Sequence, residues 1–221
     1  MPPVPSKQTV RRKPGRPPSD LRGEDRRARL VDAALNAFAE HGYEGASLRD
    51  IAGRSGVDLA LIRYYFGSKE DLWYGALRDL AERLGRDSRQ AIGDDFDSLT
   101  ATQRLERTIR WFVEISARFP YLSRIIVSES AQPGERQKFI SQEIVGIFYG
   151  TMSSLIEEAK GEGTVPDVST RTIFFMITHG GSFPMAIPAL TNDMPGPDIR
   201  TPRAIQRHAD AIVDLVIRKK V

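Results

Sequence analysis

Ser47-Leu48-Arg49-Asp50-Ile51-Ala52-Gly53-Arg54-Ser55-Gly56-Val57-Asp58-Leu59-Ala60-Leu61-Ile62-Arg63-Tyr64-Tyr65-Phe66-Gly67-Ser68-Lys69-Glu70-Asp71 carries three helix starts and two glycine stops within 25 residues. Ser47-Leu48-Arg49-Asp50 is a capping box, in which the serine hydroxyl accepts the backbone N–H three residues on. It opens a short helix that runs to about Ser55 and ends at Gly56. After a turn of a few residues, Asp58 caps a helix from Leu59 to Phe66, and Gly67 breaks the chain. Ser68-Lys69-Glu70-Asp71 is a second box, opening a long helix with Leu72, Trp73, Ala76, Leu77, Leu80 and Leu84 along one side. Two short helices joined by a glycine-containing turn form a helix-turn-helix, which presents its second helix to the DNA major groove. Ile62 and Phe66, four apart, should anchor that helix together with Val57. Arg63 and Tyr64 then point away, where a guanidinium and a phenol reach phosphates or base edges.

Working outward, Leu30, Val31, Ala34, Leu35 and Phe38 recur at helical spacing, and Gly42 follows His41 as a stop. A first helix is therefore expected over about 24–41. Downstream, Leu105, Ile109, Phe112 and Val113 mark a helix ending before Phe119-Pro120, and Leu122, Ile125, Ile126 and Val127 mark the next. Phe139, Ile140, Ile144, Ile147, Phe148, Leu155 and Ile156 mark a long helix closed by Gly161 and Gly163. Two more are expected at about 168–190 and 203–219. With no period-two strand pairs and no repeats, the fold class is all-α. The chain divides into a disordered basic arm over 1–22, a three-helix DNA-binding domain over 23–70 and a larger helical domain over 71–221.

A chain of 221 residues, 40% hydrophobic and 28% charged, has ample material for a globular core. With 0 cysteines it holds no disulfide, thiolate nucleophile or zinc–sulfur site. His41, His179 and His208 are widely separated, and neither a phosphate loop nor metal-ligand spacing occurs. No enzyme activity, catalytic residue, cofactor or metal is expected. Met1 to Pro5 lead into scattered cations instead of the apolar run of a secretory signal, so the expected location is cytoplasmic. The uncharged segment 172–192 is long enough to span a bilayer. Gly180, Gly181, Pro184 and Pro188 interrupt it, so a buried or interface helix is expected instead and no membrane partner.

Charge is unevenly spread. Residues 1–30 hold nine cations against three anions, so the head carries +6 and the body −3 of a net +3. A basic head on a slightly acidic body suits a polyanion-binding end; a solvated tail has the same composition. Within it, Lys13-Pro14-Gly15-Arg16-Pro17-Pro18 resembles an AT-hook core, in which Arg16 would enter the narrow minor groove of A·T-rich DNA. A plain linker fits those residues equally well.

Phe38-Ala39-Glu40-His41-Gly42-Tyr43, Ser47-Leu48-Arg49-Asp50-Ile51-Ala52, Ser55-Gly56-Val57 and Tyr65-Phe66-Gly67-Ser68-Lys69-Glu70-Asp71-Leu72 resemble the N-terminal signature of the TetR family of transcriptional regulators. Order and spacing hold over about fifty residues, roughly a quarter of the chain. The resemblance implies a homodimer bound to double-stranded operator DNA, with an effector-binding and dimerisation domain over 71–221. By the family's habit it implies a repressor released by an unidentified hydrophobic small molecule. It carries over by position: Ser47 matches the hydroxyl that meets a phosphate, and Leu59 and Ala60 match the base-facing start of the recognition helix. Arg63, Tyr64 and Tyr65 match positions that touch the DNA backbone, with core packing the alternative for Tyr65. Lys69 matches the phosphate-binding lysine at a helix N-terminus, where amide dipoles also favour an anion. Asp58, which caps the recognition helix, is grouped with them. Arg63 departs from the family's common Tyr, and Leu59-Ala60-Leu61 can sense thymine methyls without forming bidentate base pairs. Specificity is therefore expected to lean on Arg63, the tyrosines and the basic arm.

For the effector, Trp111, Phe112, Ile115, Phe148, Tyr149, Met152, Phe175 and His179 are candidates to line a pocket, though such residues also fill helical cores. His179 and Ser182 are the polar residues of that apolar stretch, and His179 reads as a satisfied core histidine. By resemblance the last two helices pair with their symmetry mates as a four-helix bundle. Gly180-Gly181 would permit close approach there, and Pro184 and Pro188 should bend or end the helix. A regulator of the same fold without an inducer, controlled by a protein or binding DNA constitutively, is the alternative.

Overall fold

The computed structural model describes residues 19–218, with side chains from residue 26 onward, so the Lys13–Pro18 motif and its Arg16 lie outside the described residues. Every described element is helical. Helix α1 (Ser19–Gly45) begins some residues before the expected start near 24, because apolar periodicity registers a helix only from Leu30. Within it Gly42, at φ 68° and ψ 172°, interrupts the helical geometry at the stop read from sequence. Helices α2 (Leu48–Ser55), α3 (Leu59–Phe66) and α4 (Lys69–Ile92) start where their caps predict. The side chains of Ser47, Asp58 and Ser68 accept the backbone N–H groups of Asp50, Ala60 and Asp71, satisfying donors that a helix start leaves free.

A 3₁₀ turn (Phe96–Ser98) leads to α5 (Ala101–Arg118) and α6 (Pro120–Ser130). The long helix expected next is a continuous run of three parts: α7 (Glu135–Phe139), a π-turn (Ile140–Val145) and α8 (Gly146–Gly161). Two apolar cores explain the π-turn. The first gathers Leu30, Leu35, Ile51, Ile62, Leu72 and Trp73 with Tyr121 and Ile125 of α6 and Phe139 and Ile140. The second gathers Leu105, Ile109 and Val113 with Met152, Leu155 and Ile156 and with residues of the last helices. Val145 packs against both. The widened turn changes the helical phase between them, as one inserted residue in a helix does. A Cβ on Gly146 would lie 2.5 Å from the Ser141 carbonyl oxygen. Gly146→Ala is therefore expected to force the turn to rearrange and to cost about 1–3 kcal/mol, measurable as a lower thermal midpoint. An unchanged midpoint would mean that the π-turn is not required.

Helix α9 (Thr170–Ala186) ends at Ile187, and α10 (Pro188–Asp193) starts on the proline that stops it; α11 (Pro202–Val216) follows. Pro184 is accommodated inside α9. Gly180-Gly181 does not face outward as expected. A Cβ on Gly181 would meet Val113 at 3.1 Å, one on Gly180 would meet Ile212 at 3.2 Å, and His208 Nε2 donates to the Gly180 carbonyl at 2.9 Å. The glycines serve close packing of α9 on α5 and α11 of the same chain. Elsewhere on α9, Phe175, Met176 and Phe183 are 48%, 68% and 47% exposed. Among the described residues, no helix is long and apolar enough to cross a membrane, and no group of three His, Cys, Asp or Glu side chains could hold a metal ion.

Candidate nucleic-acid interface and the cavity behind it

The two short helices are held by their inward faces. Val57 and Ile62 are buried, and Leu61, Tyr65 and Phe66 pack partly buried against the first core. That leaves Ala60, Arg63 and Tyr64, spaced three and four apart, as the outward side of α3. Tyr64 is 81% exposed. Tyr65 lies edge-on to it at 5.6 Å and packs, partly buried, against the first core. Leu59 is half-buried beside the exposed Ala60. Asp58 is committed to capping α3, its Oδ1 accepting from Ala60 N at 3.2 Å. Committed in this way, the carboxylate holds the start of the helix. The exposed Ser47 accepts from Asp50 N at 3.1 Å, which leaves its own O–H free to donate to an anion.

Lys69 is placed by two contacts. Its Nζ donates to the Glu44 carbonyl at 3.2 Å and lies 4.5 Å from the Tyr43 ring centre. The ammonium keeps further N–H donors beyond the one used, at the N-terminus of α4. Arg136 of α7 also sits on Tyr43, at 3.9 Å, and pairs with Glu129 at 2.7 Å. Burial pushes the Tyr43 phenol up from its ordinary range, with Glu70 adding to the rise and Arg136 opposing it. Arg136 was not legible as a partner of this site, because nothing in its neighbourhood of sequence points to Tyr43.

Two ion-pair sets hold the frame. Arg54 of α2 pairs with Glu40 of α1 at 2.6 Å and with Asp50 at 2.8 Å. Arg83 of α4 pairs with Asp79 at 2.7 Å and Asp32 of α1 at 2.8 Å. Phe66, the last residue of α3, lies against Gly75 of α4: a Cβ there would come within 2.8 Å of the Phe66 ring. Gly75→Ala is expected to lift α3 from α4 and weaken DNA binding severalfold while the protein stays folded. Titration of labelled DNA, with a melting curve as control, reads this; unchanged affinity would mean that the contact does not set the position of α3.

Behind this head lies a cavity of about 320 Å³, within the range that takes a small ligand. Its walls come from α4, α5, α6, the π-turn with α8, and α9. Trp111, Phe112, Ile115, Phe148, Phe175 and His179 all line it. Tyr149 and Met152 do not, against expectation. Met152 is fully buried in the second core, and Tyr149 turns edge-on to Phe174 at 4.9 Å. Phe112 and Phe148 stack at 5.3 Å, with Trp111 6.1 Å from Phe148. The Trp111 Nε1 is buried without a hydrogen-bond partner among the described residues. His179 is exposed, not a core histidine, with Phe175 5.4 Å away, whereas Ser182 is buried. The α4 part of the wall, from Ala81 through Leu84 and Gly85 to Ser88, is not legible in the sequence, because Leu84 fits the helix's core side and the others carry no signal.

Residues 30–73 match the family model for bacterial regulatory proteins of the tetR family. Over 159 residues the chain is 31% identical to the HTH-type transcriptional regulatory protein RaaS of Mycobacterium tuberculosis, spanning 71% of this chain and 68% of that protein. Among solved structures, HlyIIR, a hemolysin II transcriptional regulator, aligns with a TM-score of 0.65 at 21% identity, over 89% of this chain and 99% of that one. AibR, in complex with isovaleryl coenzyme A and operator DNA, aligns with a TM-score of 0.67 at 17% identity, over 88% and 100%. At such identities the structural likeness shows the fold.

Proposed function

Since this chain belongs to the TetR family of bacterial regulatory proteins, we propose that it is a repressor whose two copies hold operator DNA and release it when a small molecule fills the cavity. One observation carries the reading: a single helix joins the two sites. The N-terminal half of α4 supplies Lys69 and, at Gly75, the seat of the recognition helix; its C-terminal half supplies Ala81, Leu84, Gly85 and Ser88 to the cavity wall. The 24 residues of α4 make a rod of about 36 Å, so a ligand that displaces one end displaces the other. Two symmetric heads must match half-sites about 34 Å apart, and a small change in their spacing costs binding. Exposed Met176 of α9 and exposed Leu215 of the adjacent α11 support pairing of two copies through the last helices. The neighbour AibR, solved with both an acyl coenzyme A and operator DNA, supports a fold that serves both ligands.

The test needs no knowledge of the effector. Ser88→Trp puts an indole into the cavity from α4, and the variant is footprinted on DNA upstream of its own gene beside the unchanged protein. Loss of the footprint, with helical content retained by circular dichroism, is expected. A folded Ser88→Trp protein that protects the same bases at the same concentration would overturn the effector-release reading. Gly85→Phe fills the cavity one turn earlier and serves where Ser88→Trp does not fold.

A further inference from the structure

We propose that the cavity selects lipophilic cations and amines over carboxylates and other anions, an inference that rests on reading the cavity as the effector site. The argument starts from what lines it. Among the described residues the lining includes no Lys, Arg or Asp; its only carboxylate is Glu143, and His179 is the one other titratable group. The remaining surface is aromatic or aliphatic, with a few hydroxyls such as Ser88, Ser123 and Thr151.

An anion entering this cavity meets one negative group and no lysine or arginine to offset its desolvation. Carboxylates taken out of water without such a partner are costly. A cation meets the opposite situation. Glu143 stands exposed in the π-turn and makes no ion pair among the described residues, so its charge is uncommitted. Ile147 and Thr151 of α8 and Phe175 and His179 of α9, all exposed, line the same cavity. Less exposed than Glu143, Trp111, Phe112 and Phe148 form a connected aromatic wall. Aromatic faces attract a cation through the ring quadrupole, more strongly once water is excluded. The lining thus combines a solvent-exposed carboxylate with less exposed π-faces, suited to an organic ammonium or phosphonium with an apolar body. The π-turn has a direct part in this. It is the segment from which the consecutive residues Glu143, Ile144 and Val145 all reach the lining.

The probe pair is tetraphenylphosphonium and tetraphenylborate, ions of nearly the same size and shape and opposite charge. Each is titrated by calorimetry into the full chain and into Glu143→Gln. Tetraphenylphosphonium is expected to bind at least about tenfold more tightly than tetraphenylborate, since attraction is exchanged for repulsion at one charge. Glu143→Gln is expected to remove most of that difference by weakening the cation. Equal or tighter binding of the borate, a preference unchanged in Glu143→Gln, or no binding of either ion would each overturn the cation assignment. None of these outcomes touches the Ser88→Trp footprint, so failure of the ligand class is distinguished from failure of the regulator reading. Conversely, a cation preference beside an intact Ser88→Trp footprint would leave a cation-binding cavity that does not control DNA.

Discussion

Tyr64→Ala is expected to lower operator affinity by about 1–3 kcal/mol, or roughly 5- to 150-fold, without changing the melting temperature. Tyr64 is 81% exposed, and its one aromatic neighbour, Tyr65, is held independently by the first core. The side chain therefore has little to do in the folded protein alone. On the outward side of α3 it shares the surface with Ala60 and Arg63, which is exposed and makes no side-chain hydrogen bond or ion pair among the described residues. Arg63→Ala should produce a loss of the same order and relax the preference among DNA sequences, since a guanidinium is the donor suited to guanine. Lys69→Ala should behave differently. An ammonium at a helix start holds phosphate whatever the bases, so all sequences should weaken alike, and the salt dependence should flatten by about 0.9 per lysine, or about twice that for two bound copies. Binding measured at several salt concentrations separates the two behaviours. A Tyr64→Ala protein with undiminished affinity would place α3 outside the groove.

The elements that were legible and those that were not differ in the range of their causes. Gly56 and Gly67, with the caps Ser47, Asp58 and Ser68, act within four residues of themselves, so the helix-turn-helix could be read from neighbouring letters. Six of eight candidate lining residues reached the cavity, because an aromatic on the inner face of a helix usually points to either core or cavity. Met152 shows why that rule cannot choose between them: only the arrival of α5 and α9 makes its position solid core. The contacts that were missed are all long-range. Gly75 matters because Phe66 comes back onto it, Arg136 because it reaches Tyr43 from α7, and Gly180-Gly181 because α5 and α11 press close. The π-turn belongs here too. Its cause is the need to serve two cores with one helix, and no local residue announces that need.

Trp73→Ala is expected to be the most destabilising single truncation in the head, at about 3–5 kcal/mol. Trp73 is 1% exposed, and Tyr74, Phe139 and Tyr43 surround its ring at 4.9, 5.7 and 6.5 Å, all near edge-on. Aromatic pairs of this geometry contribute beyond the area they bury. Removing the indole empties the place where the end of α1, the start of α4 and α7 meet, and none of these can close in without giving up contacts elsewhere. For a chain of this size the loss corresponds to a fall of about 6–20 °C in the melting temperature. Trp73→Phe provides the control. The indole Nε1 is buried with no hydrogen-bond partner among the described residues, so replacing the ring by phenyl removes an unpaired donor while keeping most of the contact. A phenylalanine variant should therefore retain the larger part of the stability and of the operator affinity. Because Tyr43 also carries Lys69 and Arg136, the alanine variant should lose DNA binding even at temperatures where it remains folded. If phenylalanine proved as damaging as alanine, ring packing would not be the source of the stability, and a polar contact of the indole would have to be sought instead.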